Sequence, residues 1–280
     1  MNTPKKKTWF VTGATRGLGY QIATAALISG ANVVATGRSL EKLKTVFAES
    51  DNVLLLELDI CNEEQTKLAT QQAINHFDSI DILVNNAGFG QLGLFEEIKQ
   101  DKIKAQFATN VFGLMSMSRA VLPYMRQQRT GLIYNISSIG GSLGFENASV
   151  YCAAKFAVEG FSESLAIEVK QFGIDVTIIQ PGFFRTDFLD RSSVQYGTVS
   201  IDDYVQYSKA LNDVYQLQNQ QQLGDPKKLG QLLVELSQKT ELPMRLAVGS
   251  DAIEYLGKAN YNRKKDLEKW SDYSKTTDIN

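Results

Sequence analysis

Short apolar runs alternate with longer amphipathic segments along the first 180 residues of the chain. Each run is three to six residues long and ends in turn-forming residues, which is typical of strands buried on both faces. The predicted strands span residues 8–11, 32–36, 53–58, 82–84, 132–136 and 175–180. The predicted helices span 20–29, about 40–49, 63–77 after an N-cap at Asn62, about 101–128, and a further helix that begins near Val150.

The remainder of the chain is less regular. It contains an aromatic-rich stretch at about 183–224, a helix after Asp225 and Pro226, a seventh strand at 245–249, a helix at 252–270 and a frayed tail at 271–280. No internal repeat or linker interrupts the pattern, so we expect a single domain over residues 1–280. The alternation predicts the α/β class: a doubly wound, Rossmann-like parallel sheet of about seven strands with helices on both faces. In such sheets the ligand crevice lies at the carboxyl ends of the strands.

Charge and composition narrow the function classes. The formal net charge of -2 gives no electrostatic reason to bind nucleic acid or an anionic membrane, and neither partner is predicted. The basic start at Lys5, Lys6 and Lys7 precedes an apolar run too short for a signal peptide, and no stretch approaches the ~20 apolar residues of a membrane span. Cys61 and Cys152 are too few for a disulfide framework, which favours the cytoplasm. The only histidine, His76, lacks companion metal ligands, so no metal site is predicted.

Three glycines, Gly13, Gly17 and Gly19, separate the first predicted strand from the first helix. Glycines at such a turn let backbone N–H groups approach a pyrophosphate at the helix N-terminus. Their spacing differs from Gly-x-Gly-x-x-Gly, so the pattern alone leaves open a plain strand–helix turn.

The end of the second strand bears on the choice of cofactor. An acid there would bind the ribose of NAD, whereas an arginine accommodates the 2′-phosphate of NADP. Residues 35–39 contain no acid, and Arg16 and Arg38 are both placed to reach a phosphate. Either arginine alone could be an ordinary surface residue. Together they favour NADP over NAD.

Tyr151 and Lys155 lie four residues apart on one predicted helix and therefore share a helix face. An ammonium beside a phenol favours the phenolate and lowers the tyrosine pKa, which would suit proton transfer near neutral pH. The spacing also arises by chance.

The combined motifs resemble the short-chain dehydrogenase/reductase family of the single-domain type, in register from residue 8 to about 190. Residues 12–19 resemble its Thr-Gly-x-x-x-Gly-x-Gly loop, 85–88 its Asn-Asn-Ala-Gly element, and 181–186 its Pro-Gly-x-x-x-Thr segment. Asn110 matches a helix asparagine, and Ser138 precedes Tyr151 by the family's thirteen residues. Leu18 stands where isoleucine is usual, and Phe184 replaces a small aliphatic residue.

This resemblance implies hydride transfer between nicotinamide and a carbonyl or secondary alcohol. It implies Tyr151 as general acid or base, Lys155 as the group that binds ribose and lowers the Tyr151 pKa, Ser138 as the holder of the substrate oxygen, and Asn110 as the anchor of a relay water. The implied cofactor contacts are Gly13, Thr15, Arg16, Gly17, Leu18, Gly19, Arg38, Ser39, Asp59, Ile60, Asn86, Ala87, Gly88, Tyr151, Lys155, Pro181, Gly182, Phe184 and Thr186.

The resemblance also implies that 183–224 covers a hydrophobic substrate; the alternative is a surface pair of helices. A homodimer or homotetramer is implied by analogy. An NAD-dependent alcohol dehydrogenase and a non-catalytic NADP-binding sensor remain the alternatives.

Overall fold

A seven-stranded parallel sheet forms the centre of the protein. The structure is a computed structural model that describes residues 6–190 and 193–279; the ends of the predicted domain, 1–5 and 280, lie outside the described residues, as do 191 and 192. The sheet strands are β1 (Thr8–Val11), β2 (Asn32–Gly37), β3 (Val53–Glu57), β4 (Ile82–Asn85), β6 (Gly131–Ile136), β7 (Ile174–Pro181) and β9 (Arg245–Val248). Their order is β3-β2-β1-β4-β6-β7-β9, which confirms the predicted doubly wound sheet and its seventh strand.

Helices cover both faces of the sheet. They are α1 (Gly17–Ile28), α2 (Leu40–Val46), α3 (Glu63–Phe77), α4 (Gln100–Phe107), α5 (Leu114–Gln128), α6 (Ser149–Val169), α7 (Val205–Gln218), α8 (Pro226–Leu236) and α9 (Ser250–Lys275). Alternate strand residues face opposite layers: Trp9 packs with α1 and α8, whereas Phe10 packs with α3, α5 and α6. Two apolar cores therefore fix the sheet from both sides, as the period-2 alternation of side chains requires.

Side-chain caps set two of the helix starts. The Asn62 carboxamide accepts a hydrogen bond from the Gln65 N–H at 3.2 Å, and the Asp225 carboxylate accepts one from the Lys227 N–H at 2.8 Å. Both caps satisfy backbone donors that a helix leaves without a partner. The predicted N-cap at Asn62 and helix start at Pro226 are confirmed.

Four predicted boundaries are wrong. Helix α1 begins at Gly17, three residues earlier than expected, and α2 ends at Val46 instead of 49. The single helix predicted at 101–128 is interrupted by a π-helical turn at Ala108–Gly113, a form that hydrophobic spacing does not reveal. The tail predicted from 271 is helical through Lys275.

The irregular stretch at 183–224 folds against the carboxyl-end face of the sheet. Its short strand β8 (Val194–Gln195) pairs in parallel with β5 (Gly90–Gln91). Helix α7 is attached to the body because the Ser208 hydroxyl donates to the Glu97 carboxylate at 2.6 Å. In the part of the chain that the structure describes, no helix has the length and apolar character needed to cross a bilayer.

Candidate active site

The carboxyl ends of β1, β2, β4, β6 and β7 open into one cleft of about 540 Å³. A cleft of this volume suits a small-molecule ligand. The structure brings these predicted residues to its walls: Gly13, Thr15, Arg16, Gly17, Leu18, Arg38, Asp59, Ile60, Asn86, Ala87, Gly88, Asn110, Ser138, Tyr151, Lys155, Pro181, Gly182, Phe184 and Thr186. Two predicted contacts, Gly19 and Ser39, do not line it.

The glycine loop between β1 and α1 is a preformed turn. Gly13 and Gly17 have φ of 67° and 58°, left-handed values that glycine adopts without strain. A Cβ at Gly13 would lie 2.8 Å from the Cα of Ala87, so no side chain fits there. The turn delivers the N-terminus of α1 to the cleft, where helix N–H groups and the helix dipole favour an anion. The loop therefore fits a pyrophosphate.

A hydrogen-bonded brace holds this loop against the segment after β4. The buried Thr12 hydroxyl donates to the Val84 carbonyl at 3.2 Å and accepts from the N–H groups of Asn86 and Ala87, both at 3.0 Å. The Asn86 carboxamide donates to the carbonyls of Thr12 and Gly13 at 2.9 and 3.1 Å. Asn86 thus binds the loop itself, and Gly19 leaves the space its amide needs. In the sequence, Thr12 is recognisable only as part of the glycine-loop motif, and no role was predicted for it.

Arg38 and Asp59 lie at the end of the cleft formed by β2 and β3. The Asp59 carboxylate accepts a hydrogen bond from the Cys61 N–H at 2.9 Å, which fixes the turn carrying Ile60. Arg38 is close enough to Cys61 for its charge to oppose the burial that raises the pKa of that thiol. Ser39 instead caps α2 by accepting from the Lys42 N–H at 3.3 Å.

Asn110 lies in the π-helical turn and is almost fully buried. Its carboxamide accepts from the Phe89 N–H at 3.1 Å and donates to the Phe89 carbonyl at 2.9 Å. The side chain is therefore used to hold the segment after β4.

Ser138, Tyr151 and Lys155 meet where β6 ends beside α6. Ser138 follows β6 and accepts a hydrogen bond from the Gly140 N–H at 3.1 Å. The buried Lys155 ammonium donates to the Ile136 carbonyl at 2.8 Å and lies 5.9 Å from the centre of the Tyr151 ring. The phenol, the hydroxyl and the ammonium thus share one corner of the cleft.

The protonation of this corner differs from the sequence-based expectation. Burial raises the pKa of Tyr151 to about 12, and the hydrogen bond with Ser138 opposes that rise. Burial also lowers the pKa of Lys155 to about 8, against the charge of Glu159, which raises it. The predicted lowering of the Tyr151 pKa by Lys155 is therefore absent, because burial of the phenol sets the direction of its shift. A neutral phenol is a proton donor.

Sequence reasoning missed a buried carboxylate on α6 that pairs with a solvent-exposed arginine. Glu159, one helical turn beyond Lys155, is 5% exposed and accepts from Arg245 Nε of β9 at 2.9 Å. Gln180 of β7 donates to the same carboxylate at 3.1 Å, and Arg245 also binds Glu163 at 2.8 Å. The 151–155–159 spacing was a signal for Glu159. No comparable signal exists for Arg245, 86 residues away.

Aromatic side chains surround the end of the cleft that contains Tyr151. The Phe188 ring lies 5.8 Å from the Tyr151 ring between centroids. The turn at Gly182 is fixed by Asp251 at the start of α9, whose carboxylate accepts from the Phe183 N–H at 2.7 Å. Phe184 packs into the core below the cleft while its edge lines the wall. Residues of the segment 183–224 line the cleft, and the segment contributes the surface helix α7; that it covers a substrate stays a prediction.

Comparison with known proteins defines the class. The sequence model described as short chain dehydrogenase matches residues 7–196. Oxidoreductase BOA17 of Botryotinia fuckeliana is 38% identical over 270 residues, 96% of this chain and 98% of that protein. The 3-ketodihydrosphingosine reductase of Bacteroides thetaiotaomicron is 36% identical over 240 residues, 85% of this chain and 86% of that protein.

Solved structures give the same class. A short-chain dehydrogenase from Streptomyces avermitilis superimposes with a TM-score of 0.90 at 35% identity, covering 99% of this chain and 100% of its own. The structure of ElxO with NADP bound superimposes with a TM-score of 0.71 at 27% identity, covering 86% of this chain and 95% of its own. The chain belongs to the short-chain dehydrogenase/reductase family. It is an oxidoreductase of the type that uses a nicotinamide dinucleotide.

Proposed function

We propose that this chain is a single-domain, NADP-dependent reductase of hydrophobic carbonyl compounds. The observation that carries the proposal is the corner formed by Ser138, Tyr151 and Lys155 at the carboxyl ends of the sheet. When bound, the nicotinamide would supply the hydride. Tyr151 would donate the proton from its hydroxyl to the substrate oxygen, which the Ser138 hydroxyl would hold. Lys155 would bind the nicotinamide ribose.

The direction of the Tyr151 pKa supports reduction as the working direction. A phenol with a pKa near 12 is protonated at physiological pH and is ready to act as an acid. Alcohol oxidation needs the phenolate, which burial disfavours. The protonated phenol is the form that reduction consumes, and we therefore propose carbonyl reduction as the activity to test first.

The two arginines of the cleft support NADP over NAD. Arg16 and Arg38 both line it, and residues 35–39 contain no carboxylate to hold a free ribose hydroxyl. Asn86, Ala87 and Gly88 would line the adenosine side, with Asp59 and Ile60 against the adenine, while Pro181, Gly182, Phe184 and Thr186 would flank the carboxamide end.

A carbonyl screen followed at the NADPH absorbance tests the chemistry. Tyr151→Phe keeps the ring that packs against Phe188 and removes only the hydroxyl, so it is expected to fold normally and to lose activity at least a hundredfold. Equal rates for the wild type and Tyr151→Phe would refute the role of Tyr151. Tight NADPH binding without turnover of any carbonyl would favour the sensor alternative instead.

The cofactor preference is tested by kcat/KM with NADPH and NADH. Arg38→Asp is expected to raise the KM for NADPH by about 10- to 100-fold, the effect of losing one or two charge-assisted hydrogen bonds. Lys239→Asp is a matched control, because it changes net charge equally at an exposed position outside the cleft. A wild-type preference for NADH would end the NADP assignment.

The substrate class, the oligomeric state and the location in the cell are proposed by analogy with the family. The substrate is taken to be a hydrophobic ketone or aldehyde because aromatic side chains surround the phenol; the reductase from Bacteroides thetaiotaomicron is named for a ketone. A homodimer or homotetramer is supported by apolar side chains exposed on the π-helical turn and α6: Phe112, Phe156 and Ile167. Sedimentation of the purified protein measures the subunit number, and fractionation of the source cells tests the cytoplasmic assignment.

A further inference from the structure

A second cavity lies beside the catalytic cleft. It is open to solvent and lies between the segment 143–146, α7 and α9, and its volume is about 540 Å³, the same as that of the cleft. Phe145, Phe183 and Tyr215 line both spaces. The wall between the two is therefore one side chain thick.

The walls of the second cavity are largely apolar. Leu211 and Val214 of α7 face it from one side and Tyr255 of α9 from the other. Val214 is 50% exposed and Tyr255 is 41% exposed, so apolar surface that adjoins the catalytic corner lacks cover in the described structure. A ligand that filled this space would remove that surface from water.

The shared wall favours a slender ligand. Phe145 and Phe183 meet edge to face with ring centroids 6.2 Å apart, and Tyr255 lies 5.7 Å from Phe145. On the other side, the Tyr215 hydroxyl donates to the Glu146 carbonyl at 3.0 Å, which fixes that ring. Because these rings are in contact, a ligand that spans both spaces has to displace one of them, and an unbranched alkyl chain requires a smaller displacement than a branched or cyclic group.

We propose that the second cavity is a subsite for the linear alkyl tail of a ketone whose carbonyl lies at Ser138 and Tyr151. The inference rests on the proposed reductase function and makes its substrate class specific. The tail would leave the catalytic corner past Phe145 and Tyr215 and end between α7 and α9. Substrates would thus be recognised by chain length as well as by the carbonyl.

Methyl ketones from 2-butanone to 2-dodecanone provide the probe. Beyond the length that reaches the wall, each methylene that enters the second cavity is expected to raise kcat/KM about fourfold, until the cavity is full. A ketone of equal carbon number with a branched or cyclic tail is expected to show no such rise.

Two glycine variants locate the effect. Gly144 lines the second cavity, whereas Gly257 lies outside both cavities. A Cβ added at either glycine would meet no atom within 4 Å, and neither glycine has a positive φ. Gly144→Trp is expected to keep the wild-type kcat/KM for short ketones and to abolish the gain for long ones. Gly257→Trp is expected to leave both unchanged.

The outcomes separate the subsite from the chemistry. A flat chain-length profile in an active enzyme, or equal profiles for Gly144→Trp and Gly257→Trp, would overturn the subsite and leave the reductase proposal intact. Calorimetric binding of 2-dodecanone to the NADPH-loaded protein gives a second readout. Binding that weakens in Gly144→Trp without turnover by the wild type would support the subsite and refute the reductase.

Discussion

The Thr12 hydroxyl offers a test of how the nucleotide loop is held. Thr12→Val preserves the shape of the side chain and removes the oxygen that joins β1 to the segment after β4. The hydroxyl makes three hydrogen bonds, to Val84, Asn86 and Ala87. The Asn86 N–H retains a second acceptor, the Val84 carbonyl at 3.1 Å, and that carbonyl still accepts from the Thr12 N–H at 3.0 Å, so the loss falls chiefly on the Ala87 N–H.

The expected cost follows from these contacts. Leaving the Ala87 N–H without this acceptor is expected to destabilise the fold by about 2 kcal/mol, the middle of the range for a donor that loses its partner. For a chain of 280 residues this corresponds to a fall in Tm of about 3–4 °C. Because the glycine turn then loses its anchor, the Kd for NADPH is expected to rise about tenfold or more.

Thermal unfolding and fluorescence titration with NADPH measure the two effects. Thr12→Ser is the matched control, because it keeps the hydroxyl and deletes only a methyl group; it is expected to retain most of the stability and the wild-type Kd. If Thr12→Val bound NADPH with the wild-type Kd, the argument that this brace positions the loop would be wrong.

Two further predictions concern the charges of α6. Lys155→Met is expected to abolish reduction. It is also expected to stabilise the apo-protein by about 1–2 kcal/mol at pH 7, because it removes a charged group whose burial is unfavourable, as the lowering of the Lys155 pKa to about 8 indicates. The loss of the hydrogen bond to Ile136 offsets part of this gain. In the wild type the folded state releases the Lys155 proton at lower pH than the unfolded state does, so the free energy of unfolding is expected to rise between pH 8 and 10.5. The same dependence of the free energy of unfolding on pH in Lys155→Met would contradict this. Glu159→Gln removes the charge that raises the pKa of Lys155, so the alkaline limb of the kcat/KM profile is expected to move to lower pH. Glu163→Gln touches the same Arg245 but is exposed, and equal profiles for the two glutamine variants would refute the link.

The strands were readable from the sequence because each is a short apolar run buried between two layers of helices. The predicted helix ends were less accurate where glycine takes part, since Gly17 closes the loop and also opens α1. The π-helical turn could not be foreseen, because one extra residue in a helix leaves the apolar spacing almost unchanged. That turn places Asn110 against Phe89.

The candidate site divides in the same way. Residues that belong to local motifs, such as Tyr151 and Lys155, were found from spacing on one helix. Roles that depend on long-range contacts were not. The brace joins Thr12 to Asn86 across 74 residues, and the pair of Glu159 and Arg245 spans 86. The altered pKa of Tyr151 depends on burial, which no linear motif reports.

The contact of Asp251 with the turn after β7 has a consequence for how such enzymes diversify. The match to the family model stops at residue 196, but Asp251, far beyond it, fixes the Phe183 N–H. The carboxyl-terminal third is joined to the catalytic half by the pairing of β9 with β7 and by the packing of α8 on α1, while α7 and α9 line the proposed tail subsite. Recombination with a relative beyond residue 196 that retains this aspartate would exchange selectivity and leave the proton-transfer residues in place.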